Sequence, residues 1–138
     1  MAGMRAEALA LRLTELAGTG AGDLRSLVGE FRRSEVLVPV VEGSLLSVEL
    51  GGIRWLFAFT DDAALARFGV ARGETFHERV PVYGARLLDQ LIPNAGEPMG
   101  IALDAGSETG MVLPPVAGIV PDAVAMDAKD AHAAGAAG

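Results

Sequence analysis

Cysteine is absent from the 138 residues of the chain. Its absence excludes disulfides, thiol nucleophiles, iron–sulfur clusters and zinc sites built on thiolates. Histidine and carboxylate groups could still bind a metal, but the two histidines, His77 and His132, are far apart in the sequence. The sequence therefore predicts no structural metal site and no cofactor.

Long apolar segments and an excess of positive charge are also lacking. No stretch approaches the roughly 18 to 20 uninterrupted apolar residues of a membrane span. Lysine and arginine number 11 against 18 aspartate and glutamate, and the net charge of −7 opposes binding to nucleic acid or anionic lipid. The first residues are rich in Ala and Leu, yet Glu7, Arg12 and Glu15 interrupt any apolar core of a signal peptide. We therefore expect a cytoplasmic protein that neither binds nucleic acid nor spans a membrane.

The apolar content is sufficient for a folded core. Hydrophobic residues make up 51% of the chain, and a chain of this length has room for one domain. From residue 128 onward Ala and Gly dominate, which leaves little to bury. We expect an N-terminal helix and linker over residues 1–22, a folded domain over 23–122 and a disordered tail over 123–138.

Two amphipathic helices are predicted near the N-terminus. Leu9, Leu13 and Leu16 follow at spacings of four and three, which places them on one stripe of a first helix. A second helix over residues 24–33 has Asp23 as a plausible N-cap and apolar residues at i, i+3, i+4 and i+7. These helices could either cover a sheet or form a surface for a partner, and the pattern leaves both possibilities open.

The β-branched residues that follow indicate strands. Runs over 36–41, 45–50 and 54–59, separated by glycine-containing turns, predict a three-stranded antiparallel meander. Pro39 favours an edge position or a bulge for the first strand. In the third strand Trp55, Phe57 and Phe59 share one face and small or aliphatic residues share the other, which predicts a central strand that is the best-buried element. The aromatic face is interpreted as core, with a ligand or peptide platform as the alternative.

The second half of the chain alternates helices and strands. The predicted elements are a helix over 63–68 that Gly69 ends, an extended piece over 79–82, a helix over 83–92 and strands over 99–103 and 111–113. The fold class expected is therefore α+β. It has an antiparallel or mixed sheet of about five strands with helices packed on one side, preceded by an N-terminal helical segment.

Five short motifs occur along this order: VLVPV (36–40), LFAFT followed by DDAAL (56–65), LLDQL (87–91), GIALDAGS (100–107) and LPP (113–115). Together they resemble the amino-terminal domain of the SseB family, over residues 31–120. The family takes its name from a bacterial protein linked to enhanced serine sensitivity. The family pattern has an Asn-Pro-Gly-Ser type of loop where this chain has residues 104–107, so the rigid proline is missing here. The resemblance implies an α+β domain found mostly in bacteria, including actinobacteria, with no established catalytic activity.

Polar residues at the predicted strand ends are the candidates for a site. The candidate interaction or ligand cleft consists of Phe59, Thr60, Asp61, Asp62, Asp104 and Ser107. Each polar member also has a structural interpretation, because Asp61 and Asp62 suit a helix start and Asp104 before Gly106 suits an Asx turn. His77 and Glu78 fit an exposed loop. Ser107 lacks the strand, elbow and helix of a hydrolase nucleophile, and its loop lacks the lysine of a phosphate-binding loop. No catalytic residue is predicted.

Two functional hypotheses remain from the residues. The first is a non-enzymatic protein-interaction or regulatory module of the bacterial cytoplasm, acting through a protein partner or self-association. The alternative is a small enzyme or metabolite-sensing domain in which Asp61, Asp62 and Asp104 line a cleft at strand ends. This alternative requires the carboxylates to converge within hydrogen-bonding range.

Overall fold

The computed structural model describes residues 8–11, 13, 14 and 24–127. The elements in chain order are α1 (Leu24–Arg33), β1 (Glu35–Val41), β2 (Ser44–Leu45), β3 (Ser47–Leu50), β4 (Ile53–Ala58), α2 (Asp62–Arg72), β5 (Glu78–Tyr83), α3 (Gly84–Arg86), β6 (Met99–Leu103) and β7 (Met111–Leu113). A π-helical turn, Leu87–Leu91, continues α3, and a 3₁₀ turn, Asp122–Val124, follows β7. The predicted α+β class is confirmed. None of the helices among these residues has the length and apolar character that a membrane crossing requires.

The N-terminal helix, residues 8–11, 13 and 14, covers the core. Leu9 and Leu13 are almost completely buried, in one cluster with Leu27 and Phe31 of α1. At these positions the stripe of leucines packs against the domain and does not form a surface for a partner. Leu16 and the predicted cap Asp23 lie outside the described residues. The packed chain extends to Asp127, because Ala125 is buried and the Met126 N–H donates to the Pro115 carbonyl.

The strands form two sheets that backbone hydrogen bonds join to each other. A three-stranded sheet has the order β2-β1-β5, and a four-stranded sheet has the order β3-β4-β6-β7. All pairs are antiparallel except β4 with β6, which are parallel. The backbones of Leu37 and Phe59 exchange two hydrogen bonds of 2.8 Å each, which joins β1 to the residue that follows β4. The predicted meander is interrupted at Leu46, where the chain passes from one sheet to the other.

Pro39 lies in a central strand, so the edge position expected from its ring is wrong. It occurs in β1 between β2 and β5, where its missing N–H falls on the side facing Leu46. The Leu46 N–H donates to the Pro39 carbonyl, while the Leu46 carbonyl accepts from the Phe57 N–H of β4. Because proline offers no competing donor, the Leu46 carbonyl can pair with the second sheet.

Helices pack on both faces of the sheet system, whereas the sequence led us to expect them on one side. Leu56 and Ala58 of β4 face the main core, together with residues of α1, of the N-terminal helix and of the π-helical turn that continues α3. Phe57 and Phe59 face a second cluster that α2 covers through Phe68. Because side chains alternate along a strand, Leu56 and Ala58 lie on the opposite face of the sheet from Phe57 and Phe59. The best-buried strand is β6, in which every residue is buried, and not β4 as predicted.

Helix α2 extends further than the sequence predicted. It continues past Gly69 to Arg72 and ends at Gly73, which has the left-handed conformation with φ 70°. Gly69 serves a different purpose, because an added Cβ would lie 2.7 Å from the carbonyl oxygen of Glu74. The returning chain passes close to the helix there, and the Glu74 N–H donates to the Gly69 carbonyl.

We expect Gly69→Ala to destabilise the fold and the matched change Gly29→Ala in α1 to stabilise it. Gly69→Ala should lower the free energy of unfolding by about 1–3 kcal/mol, because the added Cβ pushes the backbone of Glu74 away from the helix. An added Cβ at Gly29 would meet only the flexible end of Arg33 at 3.4 Å, so helix propensity should dominate with a gain of about 0.5–1 kcal/mol. Chemical denaturation measures both, and changes of the same sign and size would contradict the close approach.

Candidate functional site

Thr60 and Asp104 meet at the ends of two neighbouring strands. Because β4 and β6 run parallel, their carboxyl ends lie at the same edge of the sheet. The Asp104 carboxylate accepts 2.8 Å hydrogen bonds from the backbone N–H of Thr60 and from its hydroxyl. Both residues are buried, with Asp104 only 4% exposed. This pair joins the β4–α2 connection to the loop that links β6 and β7.

The Asx turn expected at Asp104 is not formed, because its carboxylate binds Thr60. The loop is closed instead by a backbone bond from the Ser107 N–H to the Asp104 carbonyl. Asp104 itself has φ 51°, a left-handed conformation that aspartate adopts more readily than most residues. A Cβ on Gly110 would lie 2.4 Å from the Asp104 carbonyl oxygen, so the loop folds back closely on this residue.

Burial raises the pKa of Asp104 above its ordinary value of 3.8. The two hydrogen bonds from Thr60 oppose this rise because they stabilise the ionised form. The Asp61 charge adds to the rise and Arg67 opposes it. A carboxylate with this environment could act as a functional acid, yet both of its oxygens already have donors within the protein.

The other members of the predicted cleft have separate contacts. Phe59 is buried in the second core cluster. Asp61 is the N-cap of α2, accepting from the Ala64 N–H at 2.8 Å, as its position predicted. Asp62 binds Arg79 of β5. Ser107 shares a 3.1 Å hydrogen bond with Thr109.

The structure therefore brings Thr60 and Asp104 together, with Asp61 beside them, whereas the side chains of Asp62 and Ser107 bind Arg79 and Thr109. His77 and Glu78 are exposed, as the sequence indicated. Among the described residues no group of three or more histidines and carboxylates could hold a metal ion. Every buried side-chain nitrogen or oxygen of the described residues has a hydrogen-bond partner.

A groove that the sequence did not reveal lies between α2 and β5. Its volume is about 340 Å³, and it is lined by Asp62, Leu65, Ala66, Gly69, Val70, Glu74, Thr75, Phe76 and Arg79. Val70 is 82% exposed at its rim. The charged groups of the lining are already paired, since Arg79 binds Asp62 and Glu74 binds Arg72. The stripe at 62, 65, 66, 69 and 70 follows helical spacing, but the loop that forms the opposite wall has no period.

A second apolar surface lies on the four-stranded sheet, on the face that α2 partly covers. Val48 and Trp55 pack against the second core cluster, and register places the remaining members on the same face. We call this surface the Trp55 face; it consists of Val48, Leu50, Ile53, Trp55 and Val112. Leu50 is 72% exposed and Val112 is 53% exposed. Helix α2 covers only the end of β4 near Phe59, where Phe68 lies 5.0 Å from Phe57 and 5.1 Å from Phe59 between ring centroids.

The opposite face of the β3–β4 hairpin is polar near the turn, whereas Leu56 and Ala58 further along β4 belong to the main core. Ser47, Glu49 and Arg54 form the polar part of this face, and Arg54 donates to both Ser47 and Glu97. Near its turn the hairpin therefore has apolar side chains on the Trp55 face, where Leu50 is exposed, and polar side chains on the other face, where Glu49 is exposed as well. Since the indole N–H of Trp55 already donates to the Leu50 carbonyl at 3.3 Å, the exposed part of its ring offers apolar surface.

The comparisons with known proteins agree with the motifs. The family model described as the SseB protein N-terminal domain matches residues 9–117. The chain belongs to the SseB family. The match includes the N-terminal helix, both sheets and the Thr60–Asp104 pair of this SseB-family domain. Neither the search of the curated proteins nor the search of the solved structures returned a match.

We expect Asp104→Asn to flatten part of the pH dependence of stability. The folded chain holds the Asp104 proton to a higher pH than the unfolded chain. The contribution of this group to the free energy of unfolding therefore falls as the pH rises from about 3.8 through the raised pKa. Asparagine can still accept from the Thr60 N–H and does not titrate. The stability of the variant relative to the native chain should increase over that range and then level off in urea titrations. Parallel pH profiles would contradict this account of Asp104.

Proposed function

We propose that this SseB-family domain is a non-enzymatic protein-interaction or regulatory module of the bacterial cytoplasm that contacts its partner through the Trp55 face. The observation that carries the proposal is the apolar face of the β3–β4 hairpin, which α2 leaves partly open to solvent. An antiparallel hairpin with one solvated face normally has that face polar. Here Leu50 and the half-buried Val48, Ile53 and Trp55 lie on the side left open by α2.

The exposure of its outer members supports the Trp55 face. Leu50 and Val112 are two of the large exposed apolar side chains of the described residues, at 72% and 53% exposure. Exposed apolar residues that share one face are typical of binding surfaces, whereas scattered ones need no explanation. Tryptophan is also one of the residue types that are enriched among those that dominate binding energy.

The three candidate carboxylates also support a non-enzymatic role, because each of them already has a partner within the protein. Asp104 is bound by Thr60, Asp61 caps α2 and Asp62 binds Arg79. General acid or base chemistry needs a titratable group that can reach a substrate proton. A module that acts through apolar surface accounts for both the engaged carboxylates and the open hairpin face.

We expect Leu50→Glu to abolish partner binding and Val70→Glu to preserve it. Both variants replace a highly exposed apolar side chain, at 72% and 82% exposure, and add the same charge. The first lies in the Trp55 face and the second in the groove. Immobilised full-length chain should recover a stoichiometric protein from the lysate of its own source organism. Recovery should fall at least about tenfold with Leu50→Glu, because a charge must then be desolvated in the contact.

Circular dichroism and thermal unfolding should confirm that both variants remain folded. Loss of binding with Val70→Glu alone would assign the contact to the groove and overturn the assignment to the Trp55 face. Equal recovery by the native chain and both variants would also contradict it.

A further inference from the structure

We infer that the outer edge of residues 45–49, which we call the open edge, binds an extended segment of a partner protein by strand addition, and that basic and apolar residues alternate along this segment. The inference rests on the proposed function, because the open edge borders the Trp55 face, and it names the class of partner. Its basis is the direction of the backbone groups, the charge of the edge and the position of the side chains beside it.

The backbone groups of the open edge alternate in direction through the passage from β2 to β3. Both groups of Leu46 point inward, since its N–H donates to the Pro39 carbonyl and its carbonyl accepts from the Phe57 N–H. Because the direction alternates along an extended chain, the N–H and C=O groups of the neighbouring Leu45 and Ser47 point outward.

The register of β3 extends this series to Glu49. Leu50 and Ile53 flank a two-residue turn, so this pair makes ladder hydrogen bonds and the backbone groups of Glu49 point away from β4. Leu45, Ser47 and Glu49 therefore present their donors and acceptors to a strand added at this edge. Main-chain hydrogen bonds of this kind give an extended peptide its affinity.

The free edges of β5 and β7 lack a comparable series. Leu37 pairs with Phe59 on the other side of β1, so Pro81, opposite Leu37, faces the free edge of β5 without an N–H. In β7 the two end residues make the ladder bonds, which leaves Val112 facing outward, and Pro114 follows. Among the described strands the open edge thus has the longest series of outward N–H groups.

The charge of the open edge specifies a basic partner. Both charged residues of segment 42–50, Glu42 and Glu49, are acidic and exposed. Arg54 lies across from Glu49, but its guanidinium donates to Ser47 and Glu97. An acidic strand, including a second copy of β3, would be repelled, because a charged side chain on an edge opposes addition of a like charge. A lysine or arginine opposite Glu49 would instead form a favourable cross-strand pair, and the net charge of −7 attracts a basic segment.

The side chains beside the open edge specify the apolar positions. Directly opposed residues of neighbouring strands lie on the same face of a sheet. Partner residues opposite Leu46 and Val48 would therefore extend the apolar surface that these two form against the second core cluster. Partner residues opposite Ser47 and Glu49 would lie on the polar face. The segment consequently alternates apolar and basic side chains with the period of two that a strand requires.

An NMR titration of the isotope-labelled full chain with a short synthetic peptide of alternating lysine and valine tests the inference. The amide protons of Leu45, Ser47 and Glu49 should move downfield, because each gains a hydrogen bond. The dissociation constant should lie below about 1 mM, as expected of a small contact. The same peptide with glutamate in place of lysine should cause no shift. Amides that stay unchanged at about 1 mM lysine peptide, or shifts confined to another surface, overturn the inference.

Ser47→Pro removes one outward N–H, and Ser47→Ala is its matched control, because both changes remove the hydroxyl that Arg54 binds. Ser47→Pro should raise the dissociation constant at least about tenfold, whereas Ser47→Ala should change it less than about twofold. Circular dichroism establishes that both variants are folded. Equal affinities of the two folded variants contradict strand addition.

Reversal of the edge charge is a second test that needs no proline. Glu49→Lys should weaken binding of the lysine peptide at least about fivefold and should allow the glutamate peptide to bind, with Glu49→Gln between the two. A Glu49→Lys variant that still prefers the lysine peptide contradicts the role of Glu49.

The binding assay of the proposed function separates the two claims. If the captured protein is lost with Leu50→Glu but retained with Glu49→Lys and folded Ser47→Pro, strand addition is wrong and the Trp55 face stands. If all three variants recover it as the native chain does, both fail.

Discussion

The attachment of α2 to the end of β4 is the constraint on which the exposed surface depends. Phe59 pairs with Leu37, Thr60 binds Asp104, and Asp61 then caps the helix. Three consecutive residues are thus fixed before α2 begins. The helix must start at this edge of the sheet, where Phe68 covers Phe57 and Phe59 and Trp55 is left half-buried. The same contacts that bury the carboxylate therefore also leave the hairpin face open.

Much of the fold could be predicted from local pattern. Strands 99–103 and 111–113 and helix 24–33 have the predicted bounds, because apolar periodicity and adjacent turn residues agree there. The predicted end of α2 was wrong because a glycine after an apolar helical pattern usually indicates the end of a helix. In the structure Gly69 lies within α2, and its missing side chain lets the backbone of Glu74 pass close to the helix. The edge position predicted for Pro39 was wrong for a similar reason. Proline is tolerated in this central strand because the Leu46 carbonyl, which would otherwise accept from residue 39, accepts from Phe57 instead. No local sequence pattern connects Leu46 and Phe57 to Pro39.

The candidate site was only partly predictable. The cap at Asp61 follows from its position before a helix, but the Thr60–Asp104 pair joins residues 44 positions apart and depends on the parallel pairing of β4 with β6. The aromatic alternation of β4 correctly predicted that Phe57 and Phe59 belong to a core. The alternation could not predict that α2 covers Phe57 and Phe59 but leaves Trp55 half-buried, because the covered area depends on the position of α2. A sequence signal did exist in β3, where Val48 and Leu50 alternate with Ser47 and Glu49, although it does not indicate which face is covered.

The most direct measurement of the central claim uses the single tryptophan of the chain. Acrylamide quenching of Trp55 fluorescence reports how much of its ring solvent can reach. If the Trp55 face is the contact surface, quenching should be efficient in the dilute monomer. It should fall severalfold once sedimentation shows that the chain is associated with itself or with a captured partner. Unchanged quenching in a sample proven to be associated would contradict the account, because the contact would then lie elsewhere.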